Sequence, residues 1–222
     1  WSTGQILDCL DRLKLAKNTL VIFTSDNGSN GRNGGSNRPL SGAKGSTMEG
    51  GMRVPMIVRW PGRIPADSTC RELGTMMDLL PTLCALTGAS LPPQKLDGFD
   101  ISGMLFGKED ANSQYEALYY YRRRQLQAIR YGDWKYHLPL NATHPNWTTA
   151  KQAGPGRSGK LVNLKSDLQE KIDVSAMNPE VIKRMEVHWK HAVLALGNDE
   201  TLGSEQRDAR TLSSSKPMTL KK

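Results

Sequence analysis

Apolar residues at Ile6, Leu7, Leu10 and Leu13 recur at the spacing of one helix face, and the polar run 14–18 closes that helix. Leu20, Val21, Ile22 and Phe23 then follow without interruption, the pattern of a strand buried on both faces. A helix feeding a buried strand is half of a βαβ unit, and it predicts a parallel sheet. Residues 28–38 are rich in Gly and Asn and read as loop. Residues 56–60 read as a further strand, stopped by Pro61 and Gly62. Residues 78–86 read as a helix with Pro81 in its first turn, where proline is tolerated. Leu80, Leu83 and Cys84 share one face of it, and Gly88 is the natural stop.

A polar stretch at 107–114 marks a change of character and divides the chain. Residues 1–110 read as part of an α/β domain, 111–196 as a small α+β unit, and 197–222 as a polar, Ser-rich tail without stable structure. Short strands are predicted at 117–122, 126–130, 134–138 and 161–163, with Tyr131-Gly132-Asp133 as the turn between the second and third. Residues 141–160 read as a long loop or insertion. Asn178 followed by Pro179 and Glu180 is a helix start, and Ile182, Met185, Trp189, Ala192, Val193 and Leu196 make its apolar stripe.

The chain has 222 residues and a formal net charge of +8. That charge raises a nucleic-acid reading, but the basic residues are scattered, with no helix-turn-helix, zinc-finger spacing or RNA-binding aromatic strand. The sequence therefore predicts no nucleic-acid partner; a basic surface also suits an anionic substrate, and equally the charge could describe only one portion of a longer protein whose remainder is acidic. Cys9, Cys70 and Cys84 are spaced for neither a disulfide framework nor a metal site, and Cys84 reads as a small core residue. No apolar run is long enough to span a membrane. Asn141-Ala-Thr and Asn146-Trp-Thr match the acceptor pattern for N-glycosylation, as does Asn27-Gly-Ser.

Chemistry concentrates just beyond the first predicted strand. Asp26 and Asn27 place a carboxylate beside an amide carbonyl, hard oxygen donors of the kind Ca²⁺ or Mg²⁺ takes. In an open α/β sheet, the carboxyl end of a strand is where ligands bind. Farther on, Gly42-Ala43-Lys44-Gly45-Ser46-Thr47 sets a lysine among small residues that let an anion approach. A divalent cation with a fixed ammonium can hold an ester oxyanion. A lone Asp-Asn-Gly is usually a turn, and a single lysine usually a solvated surface group; together in this order they favour a site. The lysine string is no P-loop, because Ala43 precedes Lys44 and Gly45 follows it. An EF-hand loop from Asp26 fails as well, since Gly28 and Asn37 stand at its third and twelfth positions.

The string S-D-N-G at 25–28, followed by L-S-G-A-K-G-S-T-M-E-G-G-M-R-V-P-M-I-V-R-W-P-G-R-I at 40–64, closely resembles the formylglycine-dependent sulfatases of the arylsulfatase type. M-D-L-L-P-T-L-C-A-L-T-G, L-D-G-F-D-I-S-G-M-L-F-G and A-I-R-Y-G-D-W-K-Y follow in family order, then a degraded L-x-D-L-x-x-D-P segment within 161–179. The resemblance covers residues 3–196. It implies an alkaline-phosphatase-like α/β sandwich, of which this chain supplies later strands, followed by a small α+β C-terminal subdomain with an antiparallel sheet and a packed helix. It implies sulfate-ester hydrolysis with a formylglycine nucleophile and Ca²⁺, with Mg²⁺ as the alternative. Asp26 and Asn27 would be metal ligands, and Lys44 would bind substrate sulfate and act in catalysis. The substrate would be a sulfated small molecule or glycan, and the compartment periplasmic, secreted or lysosomal.

The family's nucleophile sits in C/S-x-P-x-R. None of Cys9, Cys70 or Cys84 stands in that motif, so the chain reads as a C-terminal portion that does not turn over alone. Ser41 departs from the arginine often found before the lysine motif. Glu49 and Arg53 are expected to brace the lysine loop through hydrogen bonds. His188 and His191 read as surface residues, and His137 and His144 as weak candidates near substrate. Tyr119, Tyr120 and Tyr121, followed by three arginines, would line a sugar or aryl subsite, although strand propensity alone accounts for the tyrosines. The rival readings are a phosphonate or phosphodiester hydrolase of the same superfamily and a non-catalytic anion-binding remnant.

Overall fold

The computed structural model describes residues 1–32, 34–144, 153–199 and 201–207. It opens with α1 (Ser2–Arg12) and β1 (Val21–Thr24), joined through a 3-10 turn at Ala16–Asn18. After a long loop come α2 (Glu49–Met52) and β2 (Met56–Arg59), then a 3-10 turn at Met76–Asp78, α3 (Leu79–Thr87) and α4 (Ser102–Leu105).

The helix–strand order is as the apolar pattern predicts, but the pairing differs. β1 pairs antiparallel with β2, Val21 opposite Arg59 and Thr24 opposite Met56. A parallel partner needs a crossover connection, whereas the segment after β1 folds back through a compact glycine-rich loop and the single short helix α2. Nor is β1 buried as its apolar run predicts, since Phe23 is 47% exposed and Ile57 on β2 is 63% exposed. No residue of α1 is buried. Among the described residues, the apolar faces of α1, β1 and β2 are only partly covered. Trp60, just past β2, is the exception: its indole N–H donates to the Lys17 carbonyl at 3.0 Å, and its ring lies under the Arg63 guanidinium.

The 3-10 turn that leads into α3 starts from a capping box. The Thr75 hydroxyl accepts from Met77 N at 3.1 Å, and the Asp78 carboxylate accepts from Thr75 N at 2.6 Å. Asp78 is fully buried, and its other oxygen accepts from Phe99 N at 2.9 Å and from the Tyr115 hydroxyl at 2.6 Å. One carboxylate thus ties the helix start to two later segments. Gly88 ends α3 in the left-handed conformation (φ 74°).

The second half is built on a four-stranded antiparallel sheet of β3 (Leu118–Arg122), β4 (Gln125–Tyr131), β5 (Trp134–His137) and, beyond the hairpin described next, β8 (Lys160–Asn163), in the order β3-β4-β5-β8. The segment expected to be a long loop instead carries β6 (Leu140–Thr143) and β7 (Gly154–Arg157), which pair with each other. Asn141 is exposed on β6, while Asn146 lies outside the described residues. After a 3-10 turn at Ser175–Met177, α5 (Pro179–Leu196) lays its predicted stripe on the sheet. Met185 and Ala192 join Leu126, Ile129, Leu138 and Leu161 in the core. Each fully buried large apolar side chain there contributes about 1.5–3 kcal/mol.

Residues 197–199 and 201–207, read from their polarity as unstructured, form an ordered return. β9 (Gly197–Asn198) pairs with β10 (Thr201–Leu202), and Ser204 N and Glu205 N donate to the carbonyls of Leu194 and Ala195. Polar groups hold this segment: Asn198 Oδ1 accepts from Leu126 N at 2.8 Å, and the Tyr121 hydroxyl donates to the Gly197 carbonyl at 2.8 Å. Residues 208–222 of the same tail lie outside the described residues.

Candidate active site

Two loops meet beyond the end of β1. The first carries Asp26, which is exposed, and Asn27, which is half-buried, with the Ser25 hydroxyl donating to the Asn27 carbonyl at 3.0 Å. The second carries Lys44, also half-buried. They interlock through their backbones. Gly28 N donates to the Gly51 carbonyl at 3.1 Å, and Lys44 N donates to the Ser29 carbonyl at 3.0 Å. A Cβ at Gly28 would fall inside the van der Waals radius of the Gly50 carbonyl oxygen, so only glycine lets the loops approach this closely. Asn37 ties the same seam: it accepts from Ser29 N at 2.7 Å and donates to the carbonyls of Ser29 and Gly42 at 2.8 and 3.0 Å. Asp26, Asn27 and Lys44 therefore share one small braced unit, and among the described residues neither Asp26 nor Lys44 enters an ion pair.

The lysine loop is held from below by buried polar groups on the C-terminal sheet. The Thr47 hydroxyl donates to Gln127 at 3.0 Å. Glu49 is 1% exposed; its Oε1 accepts from Lys135 Nζ at 2.9 Å and from the Tyr120 hydroxyl at 3.0 Å. Its backbone N–H donates to Glu170 Oε2 at 2.7 Å. Glu170 Oε1 in turn lies 2.9 Å from both Lys135 Nζ and His137 Nε2. Arg130 reaches within 4.0 Å of Glu49, and Lys135 Nζ sits 4.1 Å from the centre of the Tyr120 ring. Two carboxylates thus face one ammonium and one guanidinium.

The titration behaviour follows from this packing. Burial alone would raise the Glu170 carboxyl, but the His137 hydrogen bond, the Lys135 charge and the Glu49 N–H together bring it down to about 2. Burial lowers His137 below its ordinary value, and the Glu170 hydrogen bond only partly opposes this. His137 is accordingly neutral near pH 7 and, facing an acceptor-only carboxylate, carries its proton on Nε2. Burial, reinforced by the Glu49 charge, drives the Tyr120 hydroxyl upward, so it acts as a donor throughout.

The weaker sequence candidates fall in different places. Glu49 braces the loop as expected, but Arg53 is exposed and contributes its backbone N–H, which donates to the Glu49 carbonyl at 2.7 Å. His137 belongs to the buried network rather than to a substrate surface. His144 Nε2 lies 2.7 Å from Asp199. His188, read as a surface residue, has a side chain 14% exposed and stacks on Tyr131 with ring centres 5.1 Å apart; only His191 is exposed as predicted. Tyr120 points into the network and Tyr121 to the return after α5, so packing accounts for both. Lys135 and Glu170 drew no functional reading from sequence. The only local hint was Lys135 between two aromatic residues on a strand. A cleft of about 360 Å³ lies between the β1–β2 pair and β3, with Thr24, Arg53, Arg71 and Tyr119 among its walls; Asp26, Asn27 and Lys44 do not line it.

A family model described as Sulfatase matches residues 1–89, the part that holds both loops. Steryl-sulfatase of Rattus norvegicus is 39% identical over 168 residues, covering 72% of this chain and 28% of that protein. Arylsulfatase A of Homo sapiens is 36% identical over 203 residues, covering 83% of this chain and 39% of that protein. Among solved structures, the PsFucS1 sulfatase from Pseudoalteromonas sp. superimposes with TM-score 0.70 at 29% identity, covering 89% of this chain and 42% of that one. The chain thus spans well under half the length of these relatives. Its architecture is the later part of an alkaline-phosphatase-like α/β fold with an antiparallel C-terminal sheet, and the chain belongs to the sulfatase family.

Proposed function

We propose that the protein carrying this chain is a sulfuric ester hydrolase, in which Asn27 and Lys44 form one side of the sulfate site. The observation that carries this reading is the interlock at Gly28, Gly50 and Lys44 N, which holds an oxygen-donor pair and an ammonium on adjacent loops, with Asp26 and Lys44 outside any ion pair among the described residues. Lys44 would donate hydrogen bonds to a sulfate oxygen and offset the negative charge that gathers there as the ester bond breaks. The small residues Gly42, Ala43 and Gly45 around it would let a tetrahedral anion approach.

Asp26 and Asn27 fit a hard divalent cation in the type of their donors, a carboxylate and an amide oxygen side by side. Ca²⁺ takes six to eight oxygens, and no cluster of three acidic, His or Cys side chains forms among the described residues, so this pair supplies only part of a ligand set. Ca²⁺, or Mg²⁺, when bound would add positive charge at the sulfate oxygens. Formylglycine belongs to the same proposal, and since no cysteine here carries its motif, the group would come from outside these 222 residues. A net charge of +8 favours anionic substrates, and we infer a sulfated small molecule or glycan. No helix among the described residues is long and apolar enough to cross a membrane. Exposed Asn141 in its acceptor pattern agrees with a secreted or lysosomal setting, and a periplasmic one remains part of the inference.

The test is a direct comparison of an aryl sulfate with the matching aryl phosphonate monoester as substrates of the full-length protein. The proposal predicts the larger kcat/KM for the sulfate. Preference for the phosphonate would move the assignment to phosphoryl chemistry.

A further inference from the structure

The Lys44 loop has almost nothing apolar with which to hold itself. Gly42, Ala43, Gly45 and Ser46 bury little, and its internal bonds are short-range ties such as Ala43 N to Ser46 Oγ at 3.3 Å. Its firm anchors lie immediately downstream, at Thr47 and Glu49, and the partners of both are on the opposite half of the molecule. These are Tyr120 on β3, Gln127 on β4, Lys135 on β5, and Glu170 in the loop after β8.

Buried ion networks are weak contributors to stability, because desolvating the charges offsets their attraction. This one also goes beyond a simple pair. Glu49 is gripped twice, by its carboxylate through Lys135 and Tyr120 and by its own backbone N–H through Glu170. Lys135 bridges the two carboxylates, so both grips move together. Such an arrangement fixes the position of the first turn of α2 along and across the sheet. From there Gly50 N reaches the Ser41 carbonyl at 2.7 Å and Gly51 O receives Gly28 N, so the position of α2 sets the spacing between the Lys44 and Asn27 loops.

We propose that Glu49, Lys135 and Glu170 are positioning residues for Lys44, and that their buried network sets where the Lys44 ammonium stands relative to Asn27. The role rests on the reading of Lys44 as a sulfate-binding group. The network itself touches no substrate; it acts through the loop. The sulfate side of the site is in this way built on the C-terminal sheet.

The experiment is a double-mutant cycle of Glu170→Gln with Lys44→Ala in the full-length protein, with amide hydrogen exchange on the same variants. Glu170→Gln keeps the shape of the side chain and leaves Glu49 and Lys135 as a neutral pair. Alone, it should lower kcat/KM for a sulfate ester by on the order of 10–100-fold, the scale of a misplacement near 1 Å. In the Lys44→Ala background it should have almost no further effect, because the group it positions is gone. Exchange should quicken at the amides of residues 42–51 and stay unchanged along α5. Equal fold-losses in both backgrounds, or exchange that rises alike in the loop and in α5, would overturn the proposal. If Glu170→Gln fails to fold, Tyr120→Phe takes its place. Removing only the hydroxyl that donates to Glu49 should give a smaller loss with the same non-additivity, and unaltered exchange at residues 42–51 would count against the role. If the parent protein hydrolyses no sulfate ester, the functional reading falls while the exchange data still decide whether the network positions the loop.

Discussion

At the scale of single residues, Gly28 is the sharpest constraint in the site. It brings the Asn27 loop against the backbone of Gly50, and any Cβ there would force the loops apart. Gly28→Ala should therefore depress sulfate-ester hydrolysis strongly and also cost stability, by about 1–3 kcal/mol, because the added Cβ meets buried backbone. Kinetics with a parallel urea titration check this; normal turnover would show that the loops need not touch. Asp26, Asn27 and Lys44 were singled out in the sequence as a candidate site because the donors and the glycines that pack them lie close together along the chain. Lys135 and Glu170 were not. Their roles come from contacts across long sequence separations, and a lysine on a strand ordinarily reads as facing water.

At the scale of elements, strong local punctuation led to the right structure. Tyr131-Gly132-Asp133 is the β4–β5 turn with Gly132 at φ 55°, Gly88 ends α3, and Pro179 opens α5. Failures occurred where a side chain rather than periodicity holds the chain. The hairpin of β6 and β7 receives Gln125 Nε2 at the Ala142 carbonyl, and the return after α5 hangs on Asn198 and Tyr121. The helix–strand order led to the expectation of a parallel sheet, yet β1 pairs antiparallel with β2; an apolar run reports burial propensity and says nothing of strand direction. α5 is the element whose packing the sequence described best. Met185 is its fully buried centre, so Met185→Ala should cost about 2–5 kcal/mol in a urea titration. A loss below ~0.5 kcal/mol would mean that α5 is not what closes the sheet.

At the scale of the whole molecule, charge organises the contact between the two halves of the chain, and that gives stability a defined pH dependence. Glu170 is held at about 2 instead of 4.5, so it favours the folded state above pH 4.5 and loses that contribution as pH falls toward 2. His137 is lowered from 6.5, so the folded state prefers it neutral; its contribution is complete above pH 6.5 and declines as acid protonates it in the unfolded chain. Stability should fall gently below pH 6.5 and steeply below 4.5, and Glu170→Gln should flatten the steeper limb. An unchanged acid limb in that variant would place the titrating group elsewhere. If Lys44 binds sulfate as proposed, the same network would make that side of the site depend on the C-terminal sheet, although all three candidate residues lie in the first 44 positions. The claim on which the account turns is that Lys44 contacts the reacting ester. Its most direct test is kcat/KM for sulfate-ester hydrolysis by Lys44→Ala against the parent protein, with circular dichroism to confirm the fold. The account predicts a loss of about 10²–10³-fold with the fold intact; hydrolysis at the parent rate would contradict it.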